Sequence, residues 1–294
     1  MPANEFELQM FWRKIMRESK KKRVTHIVWI AACIVISFVF LIPLYYTIVN
    51  SLRSLYSNPV LFFPKDPAWG NYKYAVTLIP FLRYLGNSLL IVSITVFFGI
   101  TIDFFYGYAF ARLKAKGRGI LFMVLLAQMM IPGFALQIPQ YIAFSNFGIK
   151  DTYWIWIFTG LSGSPFIVFL YKQYVESIPK EIEEAAFMDG CGVFRIIVQV
   201  YMPMCKSILA VGLFRVFIAE WGNYMTPYMF LSEKKYPLSI ALFNSSYMLP
   251  GDPAANMDPV KSAAALLFAV PAVIVFFLCQ KKLVSGLTAG SVKG

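Results

Sequence analysis

The stretch Glu184-Ala185-Ala186-Phe187-Met188-Asp189-Gly190 lies in a polar segment between two long apolar runs of the chain. Pro179 precedes it and suits the first turn of a helix. Glu181 and Glu183 follow in that turn, where carboxylates favour the positive end of the helix dipole. Gly190 can adopt the left-handed conformation that ends a helix. The segment therefore predicts a short helix followed by a sharp turn.

A second amphipathic stretch runs from Val193 to Met202 and is predicted to stop at Pro203, since proline removes a helical hydrogen bond. In the first helix, the small side chains of Ala185 and Ala186 let another protein approach the backbone closely. The whole segment, residues 177–203, is polar enough to stay outside a membrane. We expect it to form a surface on which a partner protein docks.

The composition of the rest of the chain predicts membrane-spanning segments. Only 14% of the 294 residues are charged, and the mean hydropathy is +0.62, whereas about a quarter of the residues are charged in a soluble domain. An apolar run of about 20 residues is long enough to cross a bilayer as a helix. The sequence therefore predicts an all-α membrane protein with six transmembrane helices, at residues 24–49, 85–111, 120–144, 154–171, 208–231 and 260–283.

Lysine and arginine are distributed unevenly between the two sides of these spans. Residues 1–23 carry seven of them, residues 112–119 four, residues 172–206 four and residues 281–294 three, whereas the opposite loops carry seven in all. Cytoplasmic loops are enriched in these residues, so both termini are predicted to be cytoplasmic. We expect a cytoplasmic segment at 1–23, a transmembrane domain at 24–283 and a cytoplasmic tail at 284–294.

The net charge of +12 has the same topological explanation and does not indicate nucleic-acid binding. Residues 1–23 are compatible with either a short interfacial helix or a disordered tail. The four cysteines form no Cys-x-x-Cys pair, so neither a metal site nor a disulfide is predicted. No Gly-Lys dipeptide occurs, which excludes a P-loop phosphate cradle in this chain.

The ionisable residues Asp103, Arg215 and Glu220 fall inside predicted spans. Such groups are costly in a bilayer unless they face water or a partner. We expect Asp103 or Arg215 to line a transport pathway or to pair across helices. The alternative is that Arg215 extends to the interface and that Glu220 reaches the lipid headgroups.

Several motifs resemble the smaller permease subunit of maltose-type carbohydrate importers. The Glu184–Gly190 stretch and Val200-Tyr201-Met202-Pro203 resemble the family's coupling loop. Gln128-Met129-Met130-Ile131-Pro132 resembles its third span, and residues 286–294 resemble its C-terminus. The similarity extends over most of residues 85–294. It implies the type I ABC importer permease fold in the bacterial cytoplasmic membrane.

The resemblance implies the partners and the roles of individual residues. A pair of ATPase subunits, which bind ATP and Mg²⁺, docks on the loop, a second homologous permease completes a heterodimer, and an external binding protein delivers a sugar. This chain itself binds no cofactor. The implied coupling residues are Glu184, Ala185, Ala186, Asp189, Gly190 and Pro203, and the implied tail contacts with the ATPase dimer are Gly290, Lys293 and Gly294.

Candidate pathway or substrate residues are Asp103, Arg215, Trp221, Asn223 and Tyr224, since aromatic faces can stack on sugar rings. The family often has Trp-Asn-acid-aromatic in the fifth span, where this chain has Gly222 and Asn223 in place of the amide and the acid. This departure weakens any role inherited by these positions.

Other functions remain as alternatives. The same family pattern occurs in importers of polyols and glycerol phosphate. An ion-coupled secondary transporter would use Asp103 and Glu220, but it would leave the coupling segment unexplained. Gly160-Leu161-Ser162-Gly163 resembles a rhomboid protease motif, yet His26, the only histidine, lies at the start of the first span rather than in the sixth. A non-enzymatic transport subunit is therefore the expected function.

Overall fold

Helices form nearly all of the regular structure, as the apolar runs predict. The computed structural model describes the backbone of residues 5–59, 62–244 and 247–289, and the side chains of residues 25–59, 62–244 and 247–283. Over these ranges no strand forms, and the β-type pairing is an isolated bridge between Leu249 and Asp252.

The helices are, in chain order, α1 (Glu5–Ser51), α2 (Gly70–Thr77), α3 (Phe81–Arg112), α4 (Arg118–Ala127), α5 (Gln137–Asn146), α6 (Trp154–Ser162), α7 (Pro165–Ser177), α8 (Lys180–Met188), α9 (Val193–Ile196), α10 (Met202–Met204), α11 (Lys206–Trp221), α12 (Met225–Phe230), α13 (Leu238–Asn244) and α14 (Asp258–Ala289). A π-helical segment, Ile197–Tyr201, joins α9 to α10. Helix α1 extends back to Glu5, so the backbone of residues 5–23 continues the first predicted span.

Three helical segments are each long and apolar enough to cross a membrane: Thr25–Ser51, Phe81–Arg112 and Asp258–Leu283. Three bent pairs raise the number of candidate spans to as many as six. These are Arg118–Met130 with Gly133–Asn146 (99°), Trp154–Ser162 with Pro165–Ser177 (44°), and Val193–Met204 with Lys206–Trp221 (82°). The all-helical membrane class is confirmed, while the count of six spans and the cytoplasmic termini stay predictions.

Two predicted helix limits were wrong. The predicted fifth span, residues 208–231, is divided into α11 and α12. At the break, the Asn223 side-chain oxygen accepts a hydrogen bond from the Thr226 N–H (3.2 Å) in the first turn of α12. Pro203 does not stop the helix before it. It lies in the first turn of α10, where the missing N–H is tolerated, and the chain bends after that helix, at Cys205.

Helix α3 is the central element, packing against α6, α7 and α11. Two glycines permit the close approach. A Cβ at Gly160 would lie 3.0 Å from the Phe98 Cβ, and a Cβ at Gly107 would lie 2.3 Å from the Tyr171 Cβ. Small residues let membrane helices pack backbone to backbone in this way. The α3–α6–α7 unit is therefore closely packed along its length.

Candidate functional site

The predicted coupling segment forms a helix and turn at one end of the bundle. Helix α8 begins after Pro179 with Glu181 and Glu183 in its first turn. Gly190 follows its end with φ 78°, and the Gly190 N–H donates to the Phe187 carbonyl (3.0 Å). The Cys191 N–H donates to the Ala186 carbonyl (3.0 Å). The predicted helix and its glycine terminus are therefore confirmed.

The outer face of α8 is open to the surroundings. Glu184, Ala185 and Asp189 are exposed, and Met188 has 88% of its surface exposed. A Cβ on Gly190 would meet no atom within 4 Å. Ala186, by contrast, is half-buried and packs against the buried cluster below the helix. This segment therefore presents small, acidic and apolar side chains on one free surface.

Beneath this surface, Glu183 is anchored to the bundle. Its Oε1 accepts a hydrogen bond from the Tyr108 hydroxyl (2.9 Å), and its Oε2 accepts one from the Tyr201 hydroxyl (2.8 Å). The Arg112 Nε lies 3.4 Å from Oε2. From its position in the sequence, Glu183 is predicted only to favour the positive end of the helix dipole. No signal in the sequence separates it from Glu181 and Glu184, since all three are glutamates of one amphipathic helix.

A second polar site lies within the membrane-spanning part, at the break between α6 and α7. Asp103 is fully buried, and its Oδ1 accepts a hydrogen bond from the Ser164 N–H (2.5 Å). Arg215 donates from Nη1 to the Ser164 Oγ (2.8 Å), and its guanidinium lies 5.2 Å from the centre of the Phe166 ring. Asp103 Oδ2 has no hydrogen-bond partner among the described residues. Asp103 and Arg215, predicted separately, thus meet at Ser164.

These groups border a cavity of about 250 Å³. Its polar lining comes from Thr95, Asp103, Thr159, Ser164, Arg215 and Glu220. A Cβ on Gly163, which has φ 77°, would lie 3.0 Å from the Tyr106 ring and 3.2 Å from the Asp103 Oδ1. The glycine therefore allows the break to pack directly against α3.

Glu220 does not reach outward, in contrast to the alternative that it extends to headgroups. Its Oε2 accepts hydrogen bonds from the Trp156 Nε1 (3.1 Å) and the Asn223 Nδ2 (3.2 Å). The carboxylate is therefore satisfied inside the protein, next to the cavity. Asn223 thus makes hydrogen bonds on both sides of the break between α11 and α12: its Nδ2 donates to Glu220, and its Oδ1 accepts from the Thr226 N–H.

The aromatic candidates lie in different surroundings. Trp221 is 3% exposed, stacks on Phe217 and Phe268, and donates from its indole nitrogen to the Phe268 carbonyl (2.9 Å). Its present contacts are those of a core residue. Tyr224 is half-buried, stacks on Tyr228 and donates to the Asn244 Oδ1 (2.9 Å). Gly290, Lys293 and Gly294, the predicted tail contacts, lie outside the described residues.

No metal site emerges from the described part of the chain. No group of three or more His, Cys, Asp or Glu residues is arranged to hold a metal ion within it. In the protease-like motif, the Ser162 hydroxyl donates to the Thr159 carbonyl (2.7 Å). It therefore makes a helix-internal hydrogen bond, as serines commonly do in membrane helices.

Comparison with known proteins gives consistent results. The family model for "Binding-protein-dependent transport system inner membrane component" matches residues 99–288. The chain is 30% identical to the galactooligosaccharides transport system permease protein GanQ of Bacillus subtilis over 250 residues, which are 83% of this chain and 86% of GanQ. It is also 30% identical to the melibiose/raffinose/stachyose import permease protein MelC of Bacillus subtilis, over 95% of this chain and 100% of MelC.

A solved structure has the same fold. One chain of a bacterial ABC transporter involved in the import of the acidic polysaccharide alginate superimposes with a TM-score of 0.79. The match covers 89% of this chain and 97% of that chain, at 23% identity. At this identity the similarity establishes the architecture alone.

Proposed function

The chain belongs to the family of binding-protein-dependent transport system inner membrane components, and we propose that it is the permease subunit of an ATP-driven importer for a sugar or oligosaccharide. The observation that carries this proposal is the end-to-end match to MelC, a permease named for melibiose, raffinose and stachyose import. GanQ, named for galactooligosaccharides, supports the same solute class. The chain moves the solute by alternating access and performs no covalent chemistry.

The α8 segment is the proposed attachment point of a separate ATPase. The exposed Glu184, Ala185 and Asp189, with the open space at Gly190, form a surface that fits a socket on a partner. ATP and Mg²⁺ are bound by that partner, since this sequence has no phosphate cradle. Ala186 supports the surface from behind, because it packs on the core. Pro203, the other proposed coupling residue, lies just before the bend at Cys205.

The remaining partners follow from the same proposal. A second, homologous permease forms a heterodimer with this chain in the bacterial cytoplasmic membrane, and an external binding protein delivers the solute. Both termini face the cytoplasm, where Gly290, Lys293 and Gly294 contact the ATPase dimer. The distribution of lysine and arginine supports this orientation.

The polar cavity at Ser164 is proposed to line the solute pathway. Asp103, Arg215 and Glu220 lie together there, and charged groups at membrane depth favour a water-filled or partner-covered surface. Asn223 donates a hydrogen bond that holds Glu220 in place. Tyr224, the next residue, has an aromatic ring and a hydroxyl group that are proposed to contact the solute. Trp221 supports this wall by packing. Two carboxylates beside one guanidinium favour a neutral, hydroxyl-rich solute over a phosphate. A sugar is therefore a better candidate solute than glycerol phosphate, and a polyol is the alternative.

The proposal is tested by reconstituting the chain in vesicles with its partner permease, ATPase and binding protein. Uptake of radiolabelled oligosaccharides, sorbitol and glycerol 3-phosphate is measured with ATP inside the vesicles. ATP-dependent uptake of an oligosaccharide supports the proposal. Uptake that persists without the ATPase and follows a proton gradient would instead establish a secondary transporter.

A further inference from the structure

Glu183 joins the proposed docking helix to the membrane-spanning part of the chain. Its two carboxylate oxygens are divided between two elements: Oε1 accepts from Tyr108 of α3, and Oε2 accepts from Tyr201 of the π-helical segment. The Arg112 Nε lies 3.4 Å from the same Oε2, and the side chains of Arg112 and Glu183 are only 7% and 16% exposed. The acid is therefore held by three groups and largely shielded from water.

Arg112 extends this connection to a fourth segment. Its Nη2 donates to the carbonyls of Val175 (2.9 Å) and Ile178 (2.5 Å) at the end of α7. Its guanidinium lies 5.4 Å from the centre of the Tyr201 ring, and the Tyr108 and Tyr201 rings are 5.2 Å apart. The Glu183 cluster, defined as Glu183, Tyr108, Arg112 and Tyr201, thus connects α8, the π-helical segment, α3 and the end of α7.

The nature of these contacts matters for the transmission of movement. A contact of only a few apolar atoms resists separation weakly, because each atom pair contributes about 0.1–0.2 kcal/mol. Hydrogen bonds to a charged acceptor are stronger than neutral ones and resist separation more strongly. A transport cycle needs movement in both directions, so a docked helix must be able to pull on the spans as well as push them.

The cluster also leads to the polar cavity. Tyr108 and Arg112 follow Asp103 on α3 by five and nine residues, which corresponds to roughly 8 and 14 Å along a helix. The close packing of Gly107 on Tyr171 keeps α3 and α7 together between these two points. A displacement applied at Glu183 is therefore carried as a rigid-body movement to the cavity wall at Asp103 and Ser164.

We propose that Glu183 is a positioning residue that transmits movement of the docked α8 helix to α3 and α7 in both directions. The proposal rests on the function proposed above. The proposal gives different roles to two acids that are adjacent in sequence: Glu184 faces the partner, and Glu183 faces the spans.

The test uses the complete reconstituted complex with Glu183→Ala, Glu183→Gln and Tyr201→Phe. Solute uptake and ATP hydrolysis are measured in the same vesicles, and retention of the ATPase on the purified complex is quantified. We expect Glu183→Ala to lower the solute moved per ATP hydrolysed by about tenfold or more, since it removes both hydrogen bonds and the ion pair that Glu183 makes with the spans. Glu183→Gln keeps the shape and one acceptor, so its loss is smaller. Glu176→Gln, at an exposed site of α7 outside the docking helix, is the control and keeps normal uptake.

A double variant of Glu183 and Tyr201 adds a second measurement, the energetic coupling between these two residues. If Glu183 and Tyr201 act through one bond, the double variant Glu183→Gln/Tyr201→Phe loses less than the product of the two single losses. Independent, multiplicative losses would contradict the cluster as a unit.

The remaining outcomes are also decisive. Normal uptake per ATP in Glu183→Ala would overturn the proposal. Loss of the ATPase from that complex would overturn it too, because Glu183 would then shape the docking surface rather than transmit movement. Failure of the proposed function looks different, since the wild-type complex itself would show no ATP-dependent sugar uptake.

Discussion

Gly190 combines two properties that residues of α8 do not share. Its φ of 78° is in the left-handed region, and no atom lies within 4 Å of the position of a Cβ. We expect Gly190→Trp to abolish most uptake while the protein still inserts, because the backbone strain is only about 1–2 kcal/mol and the indole would occupy the surface proposed to bind the partner. Uptake measures the loss of transport, and the abundance of the protein in the membrane measures its insertion.

Gly117 provides the control for this prediction. It also has a positive φ, 82°, with no atom within 4 Å of a Cβ, but it lies in the connection between α3 and α4. Gly117→Trp therefore introduces the same strain and bulk outside the coupling segment, and we expect it to transport normally. Equal losses in the two variants would mean that strain, and not docking, explains the effect at Gly190.

Asp103 carries a second prediction at the residue scale. Asp103→Asn keeps an oxygen that can accept the Ser164 N–H, but it removes the charge near Arg215. We expect uptake to fall by about tenfold, the effect of losing roughly 1.4 kcal/mol of charge-assisted interaction, with unchanged abundance. Asp66→Asn changes an exposed acid in an outer loop and is the control. Unchanged transport in Asp103→Asn would remove Asp103 from the pathway.

Among the elements, the contact of α3 with α7 is set by a single glycine. A Cβ at Gly107 would lie 2.3 Å from the Tyr171 Cβ, whereas a Cβ at Gly86 on the same helix would meet nothing within 4 Å. We expect Gly107→Ala to destabilise the protein by about 1–3 kcal/mol through overpacking. Gly86→Ala is expected to be neutral or slightly stabilising, since alanine favours helix by about 1 kcal/mol. Thermal inactivation midpoints in detergent compare the two, and equal midpoints would contradict the close packing.

Two loops are joined at the opposite end of the bundle by Asp151. The Ser232 N–H donates to its Oδ1 (2.9 Å), and the Lys235 Nζ lies 3.2 Å from its Oδ2. The hydrogen bond from Ser232, aided by Lys235, holds the pKa of the Asp151 carboxyl below its usual value. A lowered pKa in the folded state stabilises the joined loops above the unfolded pKa, and this contribution is lost as pH falls through the folded pKa.

Asp151→Asn tests this pH dependence with little change in backbone strain, because asparagine tolerates the φ of 56° found here. We expect amide protection of residues 231–236, corrected for intrinsic exchange, to fall below about pH 4 in the wild type. The variant should lack this acid-dependent step. A wild-type profile that stays flat through this range would contradict the role of the carboxylate.

Features of the helices that depend on local sequence could be predicted, whereas those that depend on distant contacts could not. The acids at the start of α8, the glycine after it and the break at Pro132 are local signals, since each residue type restricts its own backbone. The break at Gly163 and Ser164 was missed, although Gly163 and Pro165 are local helix-breaking residues. Its hydrogen bond from the Ser164 N–H to Asp103, some 60 residues away, has no local signal. Glu183 was missed as an anchor for the same reason, since its partners Tyr108 and Arg112 are far from it in sequence.

At the scale of the whole molecule, the proposed function depends on orientation, because the proposed ATPase docks from the cytoplasmic side. The uneven distribution of lysine and arginine predicts that residues 112–119 face the cytoplasm and residues 50–84 face outward. Lys116 and Asn58 are exposed residues of these two loops. In a background with the four native cysteines replaced by serine, each position is changed to cysteine and treated with a membrane-impermeant maleimide.

We expect Asn58→Cys to be labelled in intact cells, and Lys116→Cys only after the membrane is permeabilised. Labelling of both sites after permeabilisation controls for local access. The reverse pattern would put α8 on the outer side, since α3, α7 and α8 are joined there through Arg112 and Glu183. It would therefore refute ATPase docking together with the topology, whereas a normal pattern with failed transport in Gly190→Trp would leave the topology intact and assign the defect to the docking surface.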